Sequence, residues 1–113
     1  MSKNVAVVIQ EDPRKTHRPV EALRIALGLT AGTHSTTIVL LGDSIHLLSE
    51  DNDDIVDRDV LEQYLPSCEQ LKIPFVLEAS ADRSLVRSEF TTSYAPDEKI
   101  RSLVASMDRT IVF

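Results

Sequence analysis

Apolar positions in this chain alternate between two patterns. Val5-Ala6-Val7-Val8-Ile9 and Thr36 to Leu41 are unbroken runs rich in β-branched residues, the form of a strand covered on both faces, as in a parallel sheet. Between them, Val20, Leu23 and Leu27 recur at helical spacing, with Ala22, Ile25, Ala26 and Leu29 widening the stripe. That predicts a well-buried helix opening near Pro19 and stopping at Gly32, after a polar loop from Gln10 to His17. Gly42-Asp43-Ser44 ends the second strand, and Asp43 or Ser44 is placed to cap a short helix through Ile45, Leu47 and Leu48.

The second half repeats the alternation. Glu50 to Asp59 is strongly acidic and reads as a solvated loop that caps the next helix. Val60, Leu61, Tyr64, Leu65, Cys68 and Leu71 form a helical stripe that contains Pro66, where the missing amide donor predicts a kink or a break. Ile73 to Leu77 reads as a third strand, Ala81 to Arg87 as a short helix, and Phe90 to Tyr94 as a fourth strand. Pro96-Asp97-Glu98 opens a helix carrying Ile100, Leu103, Val104 and Met107, and Thr110 to Phe113 closes the chain as a strand. The order β-α-β-α-β-α-β-α-β predicts one α/β domain over residues 1–113. It is a three-layer αβα sandwich of about five mostly parallel strands with helices on both faces. Ligand sites in such sheets lie beyond the carboxyl ends of the strands, here Gln10 to His17, Gly42 to His46 and Glu78 to Arg83.

Composition narrows the function classes. The 113 residues are 42% hydrophobic but only 4% aromatic, so the core is aliphatic, and its modest size favours oligomerisation. A net charge of -6 argues against nucleic-acid partners and anionic membranes. No run is long and apolar enough to suggest a membrane span. Cys68 is the single cysteine, which fits a reducing compartment and a cytoplasmic protein.

The stretches Val5 to Ile9, Ala22-Leu23-Arg24-Ile25-Ala26-Leu27, Val39-Leu40-Leu41-Gly42-Asp43, Leu77-Glu78-Ala79-Ser80-Ala81-Asp82-Arg83 and Met107 to Phe113, taken in this order, resemble the DsrE/DsrF-like family. That family includes the TusD-type sulfur-relay subunits and the YchN-like fold, and the resemblance covers nearly the whole chain. It implies a five-stranded sheet between helices, assembly as a homo-oligomeric trimer or hexamer, and a sulfur-relay protein as partner. Sulfur-handling members carry a cysteine just after the third strand. The matching place here is Leu77 or a close neighbour, and no cysteine lies between Ile73 and Arg83. Because a persulfide carrier needs a thiolate, the resemblance points to a binding or oligomeric subunit that is not catalytic.

Other candidate chemistry is sparse. Cys68 has two readings, an inert small hydrophobe at an apolar helix position or a substitute sulfur carrier, and Glu62 and Glu69 nearby would raise its pKa. Arg14, Lys15 and Arg18 precede a helix N-terminus and form a candidate anion or nucleotide site, with His17 as a candidate base and Arg83 and Arg87 at the same end of the sheet. That loop lacks glycine, and no G-x-G-x-x-G or G-K-[ST] motif occurs. His17 and His46 fall where they could meet Asp43 and Asp12, but no paired His or Cys spacing marks a metal site or a bound cofactor. The acidic run misses the calcium-loop template, since Ile55 takes a ligand position and Val56 replaces the turn glycine.

Overall fold

A computed structural model of the chain describes residues 2–113. The run Asn4–Ile9 forms β1, followed by α1 (Arg18–Ala31), β2 (Ser35–Leu40), a 3₁₀ segment (Gly42–Leu48), α2 (Arg58–Gln70), β3 (Phe75–Glu78), β4 (Thr92–Ala95), α3 (Asp97–Ala105) and β5 (Arg109–Val112). The strands make one sheet in the order β4-β3-β2-β1-β5, and every pairing is parallel. β1 lies between two partners, with Val8 opposite both Val39 and Val112. Such a strand has no solvent face, and that is why Val5 through Ile9 are all buried.

Alternation along the strands sends side chains to two separate cores. Val5, Val7, Ile9, Ile38, Leu40, Phe75 and Leu77 meet the apolar stripes of α1 and α2. Ala6, Val8, Val39 and Val76 meet Ile100 and the flanking Leu103, Val104 and Met107 of α3. The predicted αβα layering is therefore present, with two helices on one face and one nine-residue helix on the other. Each buried Leu, Ile or Val contributes about 1.5–3 kcal/mol relative to exposure, so the larger first core dominates stability. Among the described residues no helix is long and apolar enough to cross a membrane.

Several local expectations are corrected. α2 is unbroken from Arg58 through Pro66 to Gln70. Pro66 gives up one backbone hydrogen bond, but burial of Leu61, Leu65 and Cys68 on the opposite face holds the helix together. The short helix expected over Ala81 to Arg87 is a single 3₁₀ turn, Arg83–Leu85, whose cap is Asp82. Neither Asp43 nor Ser44 caps the segment after β2, which starts from Leu41 without a side-chain cap. Ser44 instead donates its hydroxyl hydrogen towards the carbonyls of Ile9 and Leu41, at 2.9 and 2.8 Å, tying the ends of β1 and β2. Gly42 begins this segment at φ 56°, a left-handed conformation that a Cβ would strain. The acidic stretch is not wholly solvated, because Asn52 and Ile55 are buried. Asp57 precedes α2 without capping it through its side chain.

The topology also defines where the sheet opens. The connections leaving β1, β2 and β3 contribute to the core shared with α1 and α2, whereas β4 leads into α3 on the other face. Connections depart to opposite faces between β3 and β4, and the crevice outside the carboxyl ends of such strands is the favoured ligand position in open α/β sheets.

Candidate functional site

Two groups of polar residues occupy the carboxyl rim of the sheet. The first follows β1. Asp12 accepts from the Arg14 backbone N–H at 2.9 Å, from Nε at 3.0 Å and from Nη2 at 2.8 Å. This fork holds the Asp12 carboxyl near a pKa of about 2, with the His46 charge a smaller contributor. Arg14 also feels Asp43 and Asp54, so its positive charge is surrounded by carboxylates. Arg18 pairs with Glu11 at 2.7 Å and lies 5.8 Å from the Phe113 ring centroid. Both arginines of the first loop are thus engaged by residues of their own chain, and little positive potential is left for an anion. His17 precedes α1, its carbonyl accepting the Glu21 N–H at 3.0 Å and its charge acting on the Glu21 carboxylate. Among the described residues no three His, Cys, Asp or Glu side chains gather as a metal ligand set.

Asp12 carries a pH prediction. Its folded pKa is depressed from 3.8 to about 2, so the stabilisation is complete above pH 4 and is lost as the pH falls through about 2. Urea midpoints measured near pH 5 and near pH 2 should separate less for Asp12→Asn than for the unaltered protein. Equal separations would mean that the fork contributes nothing.

The second group lines the β3–β4 crevice. Glu78 ends β3 and accepts the Gly42 N–H at 2.7 Å, fixing the turn after β2. A 200 Å³ cavity is bounded by Leu41, Glu78, Asp97, Ile100 and Arg101. Ala79 donates its N–H to the Ala95 carbonyl at 2.9 Å, joining the two strand ends. Arg83 lies 4.1 Å from the Tyr94 ring centroid on the other face of the sheet, where Tyr94 packs against the first core, a cation–π contact that stabilises by about 0.5–1 kcal/mol. Two carboxylates facing an arginine and an apolar wall can bind a small polar group. The crevice contains no nucleophilic sulfur.

The cysteine lies elsewhere. Cys68 sits in the last turn of α2, and its carbonyl accepts the Ile73 N–H at 3.2 Å just before β3 begins. That is the amino end of the sheet, opposite the rim. Its side chain is packed in the first core at 1% exposure, and burial pushes the thiol up to about 11. Leu77, at the place suggested by the family resemblance, is fully buried in the same core.

The residues singled out in the sequence therefore separate into groups. Asp12, Arg14, Asp43 and His46 lie near one another; His17 and Arg18 open α1; Arg83 lies against Tyr94 on the α1–α2 face of the sheet; Cys68 is remote. Asp97 and Arg101 are not singled out by the sequence as site residues, and Glu78 enters only as the start of the rim segment Glu78 to Arg83. The available signal was a carboxylate closing an otherwise apolar strand, Phe75-Val76-Leu77-Glu78. No family model matches the chain, and no curated protein matches it. Among solved structures, the ychN protein from E. coli aligns over 100% of both chains with a TM-score of 0.74 at 14% identity. The chain therefore has the YchN-like, DsrE-type fold that the order of its strands and helices led one to expect.

Proposed function

We propose that this chain is a DsrE-like binding and assembly subunit attached to cytoplasmic sulfur relay, and that it carries no persulfide itself. One observation bears most of the weight: hydrocarbon from Leu77 fills the position where the resembled family places its thiol, and the only cysteine is sealed in the core. Sulfur transfer starts from an accessible thiolate, and burial opposes both accessibility and ionisation at Cys68.

Assembly as a homo-oligomer, a trimer or hexamer by resemblance, is part of the reading. α3 alone covers the second face of the sheet, leaving Val112 49% exposed. Val8, Leu41, Ile100, Val104 and Val112 line an open, largely apolar cavity of 370 Å³. An exposed apolar surface of this kind favours a protein partner, and a second copy offers a matching one. Light scattering at micromolar concentration should give more than one chain per particle, and a clean monomer would overturn the assembly claim.

The sulfur claim is tested by incubating native protein with a persulfide donor and measuring intact mass. The expected spectrum shows no added sulfur, while the urea-unfolded chain is modified. A persulfide on native Cys68 that passes to an acceptor thiol would refute the non-carrier reading.

A further inference from the structure

Among the described residues, Arg87 is the one charged side chain with a buried nitrogen that has no hydrogen-bond partner. A guanidinium has five N–H donors. In Arg87, Nη2 makes only long contacts, 3.4 Å to the Ser49 carbonyl and 3.4 Å to Glu62. Nη1 approaches Glu89 only to 4.0 Å, beyond hydrogen-bond range, and Nε is buried without an acceptor. The side chain is nevertheless held in place at 15% exposure, with its backbone N–H on the Leu48 carbonyl at 3.0 Å. Arginines this enclosed ordinarily have their donors matched by acceptors.

Arg87 lines a 390 Å³ cavity between two segments, Ser49 to Asp51 after the 3₁₀ segment and Ser84 to Ser88 ahead of β4. Its volume lies at the small-metabolite end of ligand pockets. Glu50 and Asp51 stand on its wall, are exposed and form no ion pair among the described residues. With Glu62 and Glu89 also close to Arg87, the surroundings carry more negative than positive charge. A simple anion such as phosphate would be repelled, and a simple amine would leave the guanidinium donors unmatched.

We infer that this cavity binds a small zwitterion of the α-amino-acid class, its carboxylate on Arg87 and its ammonium on Glu50 and Asp51. The Ser49 hydroxyl, which accepts the Asp51 N–H at 3.2 Å, keeps its own hydrogen for the ligand carboxylate. This site is separate from Leu77, Cys68 and the β3–β4 crevice, so its test is independent of the sulfur-relay reading.

The experiment is an amide chemical-shift titration of the full chain with alanine, with propionate, which lacks the ammonium, and with ethylamine, which lacks the carboxylate. Alanine should give saturable shifts centred on Ser49 to Asp51 and Ser84 to Ser88, and each truncated analogue should bind roughly tenfold or more weakly, the loss expected for one charge-assisted contact. Arg87→Lys keeps the charge beside Glu62 but loses the planar fork and should weaken alanine by about the same factor. The exposed pair change Glu50→Gln with Asp51→Asn should weaken alanine while leaving propionate unweakened, and it does not touch the fold. No saturable shift at millimolar alanine, or propionate binding as well as alanine, would overturn the inference.

Discussion

Phe75→Ala should cost about 3–5 kcal/mol of stability, the range for truncating a fully buried aromatic. Phe75 has no measurable exposure and stands on β3 opposite Ile38 of β2 and Thr92 of β4. Its ring meets Phe90 edge-on, with centroids 5.7 Å apart and planes at 68°, a geometry that adds about 0.5–1.5 kcal/mol beyond area burial. The site cannot easily collapse, because a strand on either side fixes its backbone while α1 and α2 close the core above. Against a total of about 5–15 kcal/mol for a domain of this kind, the variant should unfold at a much lower urea concentration with an unchanged slope. Phe90→Leu is the useful companion: Phe90 lies outside β4, and the smaller aliphatic residue keeps most of the burial while losing the ring pair, so about 1–2 kcal/mol is expected. A loss below about 1 kcal/mol for Phe75→Ala would show that β3 is not packed as described.

Phe90 also illustrates what the sequence does and does not carry. The run Phe90 to Tyr94 predicts a strand, but the ladder begins at Thr92, and Phe90 is drawn into the core by its ring partner instead. Local pattern was sufficient for the strand-and-helix order, because β1, β2, α1 and α3 each turn the apolar stripe of one period towards a core. Local pattern failed at Pro66, where side-chain burial outweighed a backbone defect, and at Arg83–Leu85, where too few apolar residues exist to hold more than one turn. Strand order is a long-range property: β5 joins β1 at the far edge from β4, and no spacing along the chain encodes that. The site suffers from the same blindness. Arg14 and Arg18 read as free cations until Asp12 and Glu11 are seen to fold back on them. Glu78 reads as the end of a strand until Gly42, thirty-six residues earlier, presents its N–H to it. Arg87 reads as one of several rim arginines until its unmatched donors are counted in space.

Raising the pH towards 11 should cost this protein more stability than it costs Cys68→Ala, in which the thiol is missing. The folded core tolerates only the neutral thiol, so the Cys68 pKa rises from 9.0 to about 11, with desolvation the leading cause. The native state then keeps a proton that the unfolded chain has already released. Stability from this group is whole below about pH 9 and drains away as the pH climbs towards 11, to a total of about 2–3 kcal/mol at 1.36 kcal/mol per unit. Lysines and tyrosines also titrate in this range, so the informative quantity is the difference between the two proteins measured side by side. At pH 7 the variant should be the less stable, by about 1–2 kcal/mol for the small cavity. At pH 11 that gap should close or reverse. Parallel curves would mean that the thiol ionises as freely in the fold as outside it, and Cys68 would then regain its place as a candidate sulfur carrier. Converging curves tie the two properties together: the hydrocarbon that stabilises the neutral thiol is the same hydrocarbon that denies a persulfide donor its nucleophile.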